Sequence, residues 1–127
     1  MKPRDIGAYG ETVAADFLKK HGFRILERNR HESHNETDII AADKEFIVFA
    51  EVKTRNVLPR EDGIYGSAAA AVTYAKQARL LAAATQYLRT HPKYASLQPR
   101  LDVIEVYLDK ASGKLLQINH IENAFGR

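Results

Sequence analysis

Five consecutive apolar residues, Phe46-Ile47-Val48-Phe49-Ala50, run directly into Glu51-Val52-Lys53. Side chains of a strand alternate between its two faces. A run that is apolar on both faces is a central strand, covered on both sides. The same period puts Glu51 and Lys53 on one face, with Ile47 and Phe49. A carboxylate and an ammonium at the end of a buried strand are costly unless they are paired or liganded. Taken alone, the tripeptide reads first as a surface ion pair where the strand emerges, and only second as part of a site.

The flanking sequence supplies the cover. Ile6, Tyr9, Val13 and Phe17 recur at helical spacing, which predicts an amphipathic helix over 5–21 with Gly22 as its stop. Residues 23–29 alternate and predict a strand, and 30–35 read as a polar turn. Residues 36–42 and 46–53 predict a hairpin around Asp43-Lys44-Glu45. A long loop is expected over 54–67, with Pro59, Gly63 and Gly66. Thr73 is a candidate N-cap for a second helix reaching about Thr90, ended by Pro92, with the alanine run 68–71 beside it. Leu80, Leu81, Ala84, Tyr87 and Leu88 are assigned to its buried face. Strands are expected at 101–108 and 115–121, around a turn at Ala111-Ser112-Gly113. Helix, three strands, helix and two strands make a layered α/β domain.

The hairpin converts the anomaly into a site. With its turn near residues 43–45, Asp38 falls opposite Phe49 or Glu51, on the face of Glu51. Glu36 lies two residues earlier on that face. Two or three carboxylates and one lysine then converge. Close carboxylates repel unless one protonates or a cation intervenes. A hard divalent cation held by a few carboxylates and waters suits that set.

Asp38 followed by Glu51-Val52-Lys53 resembles the split acidic-x-lysine signature of the PD-(D/E)XK nuclease superfamily. The wider pattern includes Gly10-Glu11, Glu36-Thr37-Asp38-Ile39-Ile40, Phe49 to Arg55, Lys76 with Arg79, Arg100-Leu101-Asp102-Val103 and Asn123-Ala124-Phe125. It is similar to the small bacterial YraN-like family, itself similar to archaeal Holliday-junction resolvases. The resemblance implies a restriction-endonuclease-like αβββαβ core, a mixed sheet flanked by helices, over residues 1–127 as one domain. It implies Asp38 and Glu51 as metal ligands, with Glu11 as a helix-borne accessory acid and metal ligand. Lys53 would orient or activate water and neutralise phosphate charge. The implied cofactor is Mg²⁺ or Mn²⁺, and the implied activity is hydrolysis of DNA phosphodiester bonds, structured or branched DNA included. The alternative is a non-catalytic nucleic-acid-binding or assembly module that keeps the fold. A small-phosphoester hydrolase ranks third and would need a closed pocket.

Other residues carry less. Gln77 is placed on the apolar face of the second helix, either as a core amide bonded to backbone or as a group reaching the carboxylates or a metal-bound water. Arg55, Lys76 and Arg79 are candidate phosphate contacts. Glu11 alone also reads as a solvated residue near a helix N-terminus. His31 and His34 have metal-like spacing but no clear third ligand. Nineteen Lys and Arg against sixteen Asp and Glu permit a polyanionic partner, DNA or another nucleic acid, without requiring one. The absence of cysteine excludes thiol nucleophiles, disulfide scaffolds and Cys-ligated metals. No apolar stretch suits a membrane span, and no signal segment is recognised, so a cytoplasmic protein is expected. A homodimer would let two copies cut both strands of a duplex.

Overall fold

The computed structural model describes residues 3–66 and 74–124. Helix α1 (Pro3–Lys20) precedes strands β1 (Arg24–Glu32), β2 (Asn35–Ala42) and β3 (Phe46–Val57). Helix α2 (Tyr74–Thr90) and a short 3₁₀ turn at Pro92–Tyr94 follow, then β4 (Gln98–Asp109) and β5 (Leu115–Ile121). The five strands form one sheet in the order β1-β2-β3-β4-β5. All neighbours are antiparallel except β3 and β4, which are parallel. A parallel pair needs a crossover connection, and α2 lies within it. This mixed α/β sheet with two helices is consistent with the restriction-endonuclease-like fold expected from the sequence.

The central strand is β3, and it is covered on both faces. Val48 and Ala50 pack with Ala14, Ala15 and Leu18 of α1 and with Ile104 and Val106 of β4. Ile47 and Phe49 pack with Ile40, Ala84 and Tyr87 on the α2 side. The β2–β3 turn is fixed by Asp43, whose Oδ1 accepts the backbone N–H groups of Glu45 (2.8 Å) and Phe46 (2.7 Å). Gly22 ends α1 with φ +92°, a conformation that disfavours any side chain.

Several boundaries differ from the sequence expectation. Residues 30–32 are strand, not turn: Arg30 pairs with Thr37 in the ladder, and its side chain bridges Glu27 and Glu32. Such ion pairs let an edge strand be polar. Residues 54–57 are strand too, because the parallel ladder to β4 continues through Val57↔Asp109. The long loop therefore begins at Leu58. Strand β4 starts at Gln98 rather than Leu101. The buried face of α2 is Leu80, Ala83, Ala84 and Tyr87, whereas Leu81 is 58% exposed. Thr73, the alanine run 68–71 and Phe125 lie outside the described residues. Among the described residues no helix is long and apolar enough to cross a membrane.

Candidate active site

The β2–β3 ladder runs from Ala42↔Ile47 to Ile39↔Ala50 and stops there. The next pair in that register is Asp38 and Glu51, on the α2 face with Ile40 and Phe49. Here the strands part, and the Asp38 carboxylate replaces a backbone acceptor: its Oδ2 takes the Val52 N–H at 2.8 Å. Glu51 is 5% exposed. Its Oε2 lies 3.8 Å from Lys53 Nζ and 2.6 Å from Lys76 Nζ, the latter reaching in from the first turn of α2. The fork of the two strands thus gathers two acids and two lysines.

Glu11 stands on the α1 side of the sheet, held near β3 by a close approach of helix to strand. A Cβ built on Gly10 would lie within 3 Å of Thr54 Oγ1, Cβ and Cγ2 on β3. Rotating Thr54 cannot clear three atoms at once, so only glycine allows this contact. Glu11 follows, half-buried, 3.7 Å from Arg28, and its charge acts on Asp38. Gly10→Ala is expected to destabilise the fold by roughly 1–3 kcal/mol through overpacking. Adding Thr54→Ala should recover part of the loss in denaturant titrations. An unchanged midpoint in Gly10→Ala would contradict the close approach.

Asp38 carries the clearest electrostatic signature. Burial pushes its carboxyl up from 3.8 to about 6, against the Val52 N–H, which lowers it. Repulsion from Glu51, Glu11 and Glu36 adds to the rise. The folded chain therefore holds a proton on Asp38 that the unfolded chain has already lost between about pH 4 and pH 6. The stabilisation is complete below that window and disappears as pH rises through it, on the order of 3 kcal/mol. Asp38→Asn keeps an acceptor for Val52 and removes the titration. Its gain in stability over the parent should grow from pH 4 to pH 6 and then level off in denaturant titrations. A difference independent of pH would contradict the burial of this acid.

A cavity of 310 Å³ opens over the fork, lined by Asp38, Glu51, Lys53, Lys76 and Arg79, with His34 and Glu36 at its β1–β2 side. The sequence reading did not connect His34 to the acids. Its position just before β2, on a tight turn where Ser33 has φ 59°, carries it there. Glu11, Gln77 and Arg55 do not line this cavity. Gln77 borders a separate apolar hollow with Tyr74, Ala78, Leu81 and Leu101, because the buried face of α2 is rotated away from Leu81. Arg55 is exposed on β3, beside Tyr107 in the ladder. A larger hollow, 720 Å³, lies at the other end of the sheet around Asp43, Lys44, Lys93 and Tyr94. The acids of the fork do not face it.

A second polar cluster lies on the α1 face. Asp102, 0% exposed, accepts hydrogen bonds from Arg100 (Nε at 3.0 Å, Nη2 at 2.9 Å) and from the Asn123 backbone (2.9 Å). His120 Nε2 lies 2.7 Å from its Oδ2. Burial alone would raise the Asp102 carboxyl, but the bonds from His120, Arg100 and Asn123 hold it below its ordinary value. This cluster fastens the end of β5 to β4 and is structural.

Asp38 and Glu51 offer hard oxygen donors, and the pressure of like charges on Asp38 is one that a cation would relieve. Among the described residues there is no group of three or more His, Asp or Glu side chains placed to hold a metal ion. Two carboxylates completed by water are nonetheless the usual protein share of a Mg²⁺ site. The donor set fits a Mg²⁺-like ion better than zinc.

Fold and fork together define an α/β protein with a restriction-endonuclease-like arrangement and an acid–lysine site at the splayed end of its central strands. The sequence profile of Uncharacterised protein family UPF0102 matches residues 10–106. The chain belongs to that family, the YraN-like group. A UPF0102 protein of Clostridium botulinum (strain Loch Maree / Type A3) is 43% identical over 122 residues, covering 96% of this chain and 94% of the relative. UPF0102 protein TTE1452 of Caldanaerobacter subterraneus subsp. tengcongensis is 39% identical over 125 residues, 98% of each chain. Among solved structures, SfsA of Pyrococcus furiosus, in complex with Ca²⁺, aligns at 14% identity with TM-score 0.35. That alignment covers 95% of this chain and 64% of SfsA.

Proposed function

We propose that the protein is a divalent-cation-dependent nuclease that hydrolyses phosphodiester bonds of DNA at the β2–β3 fork. The observation that carries this reading is the buried Glu51 carboxylate, set beside Asp38 and contacted by Lys53 and Lys76 in an open cavity. Asp38 and Glu51 would hold the cation, Mg²⁺ or Mn²⁺, with Glu11 as an outer acid. When bound, such an ion supplies a Lewis acid and lowers the pKa of its water. Lys53 stands on the same face, two residues after Glu51, where its ammonium can orient water and offset charge that develops on phosphate. Arg79 and Lys76 border the cavity and suit contacts to flanking phosphates. Arg55, further along β3, would extend that contact to a longer strand. The open, polar cavity favours a polymer over a small phosphoester, which would call for an enclosed pocket.

The test is cleavage of end-labelled single-stranded, duplex, flap and four-way DNA by the purified full chain. Products should appear with Mg²⁺ or Mn²⁺ and vanish with chelator. Intact, salt-sensitive DNA binding without cleavage of any form would favour the non-catalytic nucleic-acid-binding module instead.

A further inference from the structure

We propose that Lys76 is a built-in counter-ion of Glu51, displaced when a divalent cation binds, and that its released ammonium then takes a phosphate of the nucleic acid. This rests on the reading of Asp38 and Glu51 as cation ligands. Lys76 Nζ sits 2.6 Å from Glu51 Oε2, on the carboxylate that would hold the cation. Lys53 Nζ lies 3.8 Å from the same oxygen. The two lysines are not equivalent. Lys53 is carried by β3 itself and its side chain is 21% exposed, so it stays beside the acid. Lys76 comes from α2, and its side chain is 41% exposed. A lysine stem is flexible and its ammonium is readily hydrated, so Lys76 can leave.

The contact has a reason in the cation-free protein. Glu51 is nearly buried, and Asp38 already suffers from the nearby acids. A lysine on Glu51 neutralises that charge. A cation on the same carboxylate would repel the ammonium, so each weakens the other. Once released, Lys76 stands at the rim of the cavity that a phosphate would enter. Cation binding and polyanion binding then strengthen each other, and by linkage the effect is reciprocal.

The experiment measures Mn²⁺ affinity by electron paramagnetic resonance, on the full chain without DNA. It compares the parent with Lys76→Met, Lys76→Gln and Arg79→Met, each checked by thermal melting. Arg79 lines the same cavity without an ion pair to Glu51, so its variant reports the general field alone. Both Lys76 variants should bind Mn²⁺ about fivefold to tenfold more tightly than the parent, with Arg79→Met changing it by less than about twofold. In a second arm, Ca²⁺ should raise the duplex affinity of the parent, and raise that of Lys76→Met less. Unchanged or weaker Mn²⁺ binding in both Lys76 variants would overturn the exchange while leaving the cation site standing. An equal gain in Arg79→Met would also overturn it. Absence of Mn²⁺ binding in every protein would overturn the cation site itself.

Discussion

Glu51→Gln and Asp38→Asn should each lower metal-dependent DNA cleavage by roughly a thousandfold, and Lys53→Ala by roughly a hundredfold or more. The two amides keep the shape of the fork and remove the charge that would hold the cation. Lys53→Ala leaves both acids and removes the ammonium that would offset charge developing on phosphate. The structure separates the effects of these variants on folding. Asp38→Asn relieves a buried, repelled carboxyl and should stabilise the chain near pH 7. Glu51→Gln takes a partner from two lysines instead. Lys76 can turn to water, so the loss should stay near 1 kcal/mol. Measured side by side, cleavage rates should collapse in all three variants while melting temperatures move in both directions. Cleavage by Glu51→Gln at the parent rate would remove Glu51 from the chemistry.

The largest loss of stability is expected far from the fork. Asp102→Ala should cost about 3–5 kcal/mol, because it leaves a buried guanidinium without its charged partner. Arg100 is 9% exposed and lies over the Phe46 ring at 4.8 Å, so little water can replace Asp102. Its other ion-pair partner, Glu122, is exposed and 3.4 Å away. The same substitution removes the acceptor for the Asn123 backbone and the partner of His120. Asp102→Asn retains an acceptor oxygen and should lose less. Denaturant unfolding of both variants checks this, and a loss below about 1 kcal/mol in Asp102→Ala would show that the cluster is not holding β5 to β4.

The pairing of β2 with β3 was legible in the chain. A strand apolar on both faces can only be central, and a tight turn at Asp43 leaves few registers for its partner. Those two constraints alone bring Asp38 beside Phe49 or Glu51. What escaped has physical causes. Arg30 and Glu32 look like turn residues because charge pairs, not apolar contacts, hold the outer strand. Residues 54–57 lack apolar alternation because the parallel neighbour β4 fixes them through backbone bonds. Leu81 fits the helical period of α2 yet faces outward, since a step of one residue, about 100° around the helix, decides which leucine is buried. The Lys76–Glu51 ion pair was not legible either, because nothing local to α2 reveals Glu51 on a strand 25 residues earlier. Position alone would have tied His34 to the site: it closes the turn that leads into Asp38.

On the proposed reading, Asp38 and Glu51 together would hold one divalent cation. Crystals grown with Mn²⁺ and measured for anomalous scattering test it most directly. One anomalous peak should appear between the two carboxylates, with oxygen ligands around it and Lys76 Nζ moved off Glu51 Oε2. An anomalous map with no peak at the fork, from crystals grown at a Mn²⁺ concentration that supports cleavage, would contradict the claim.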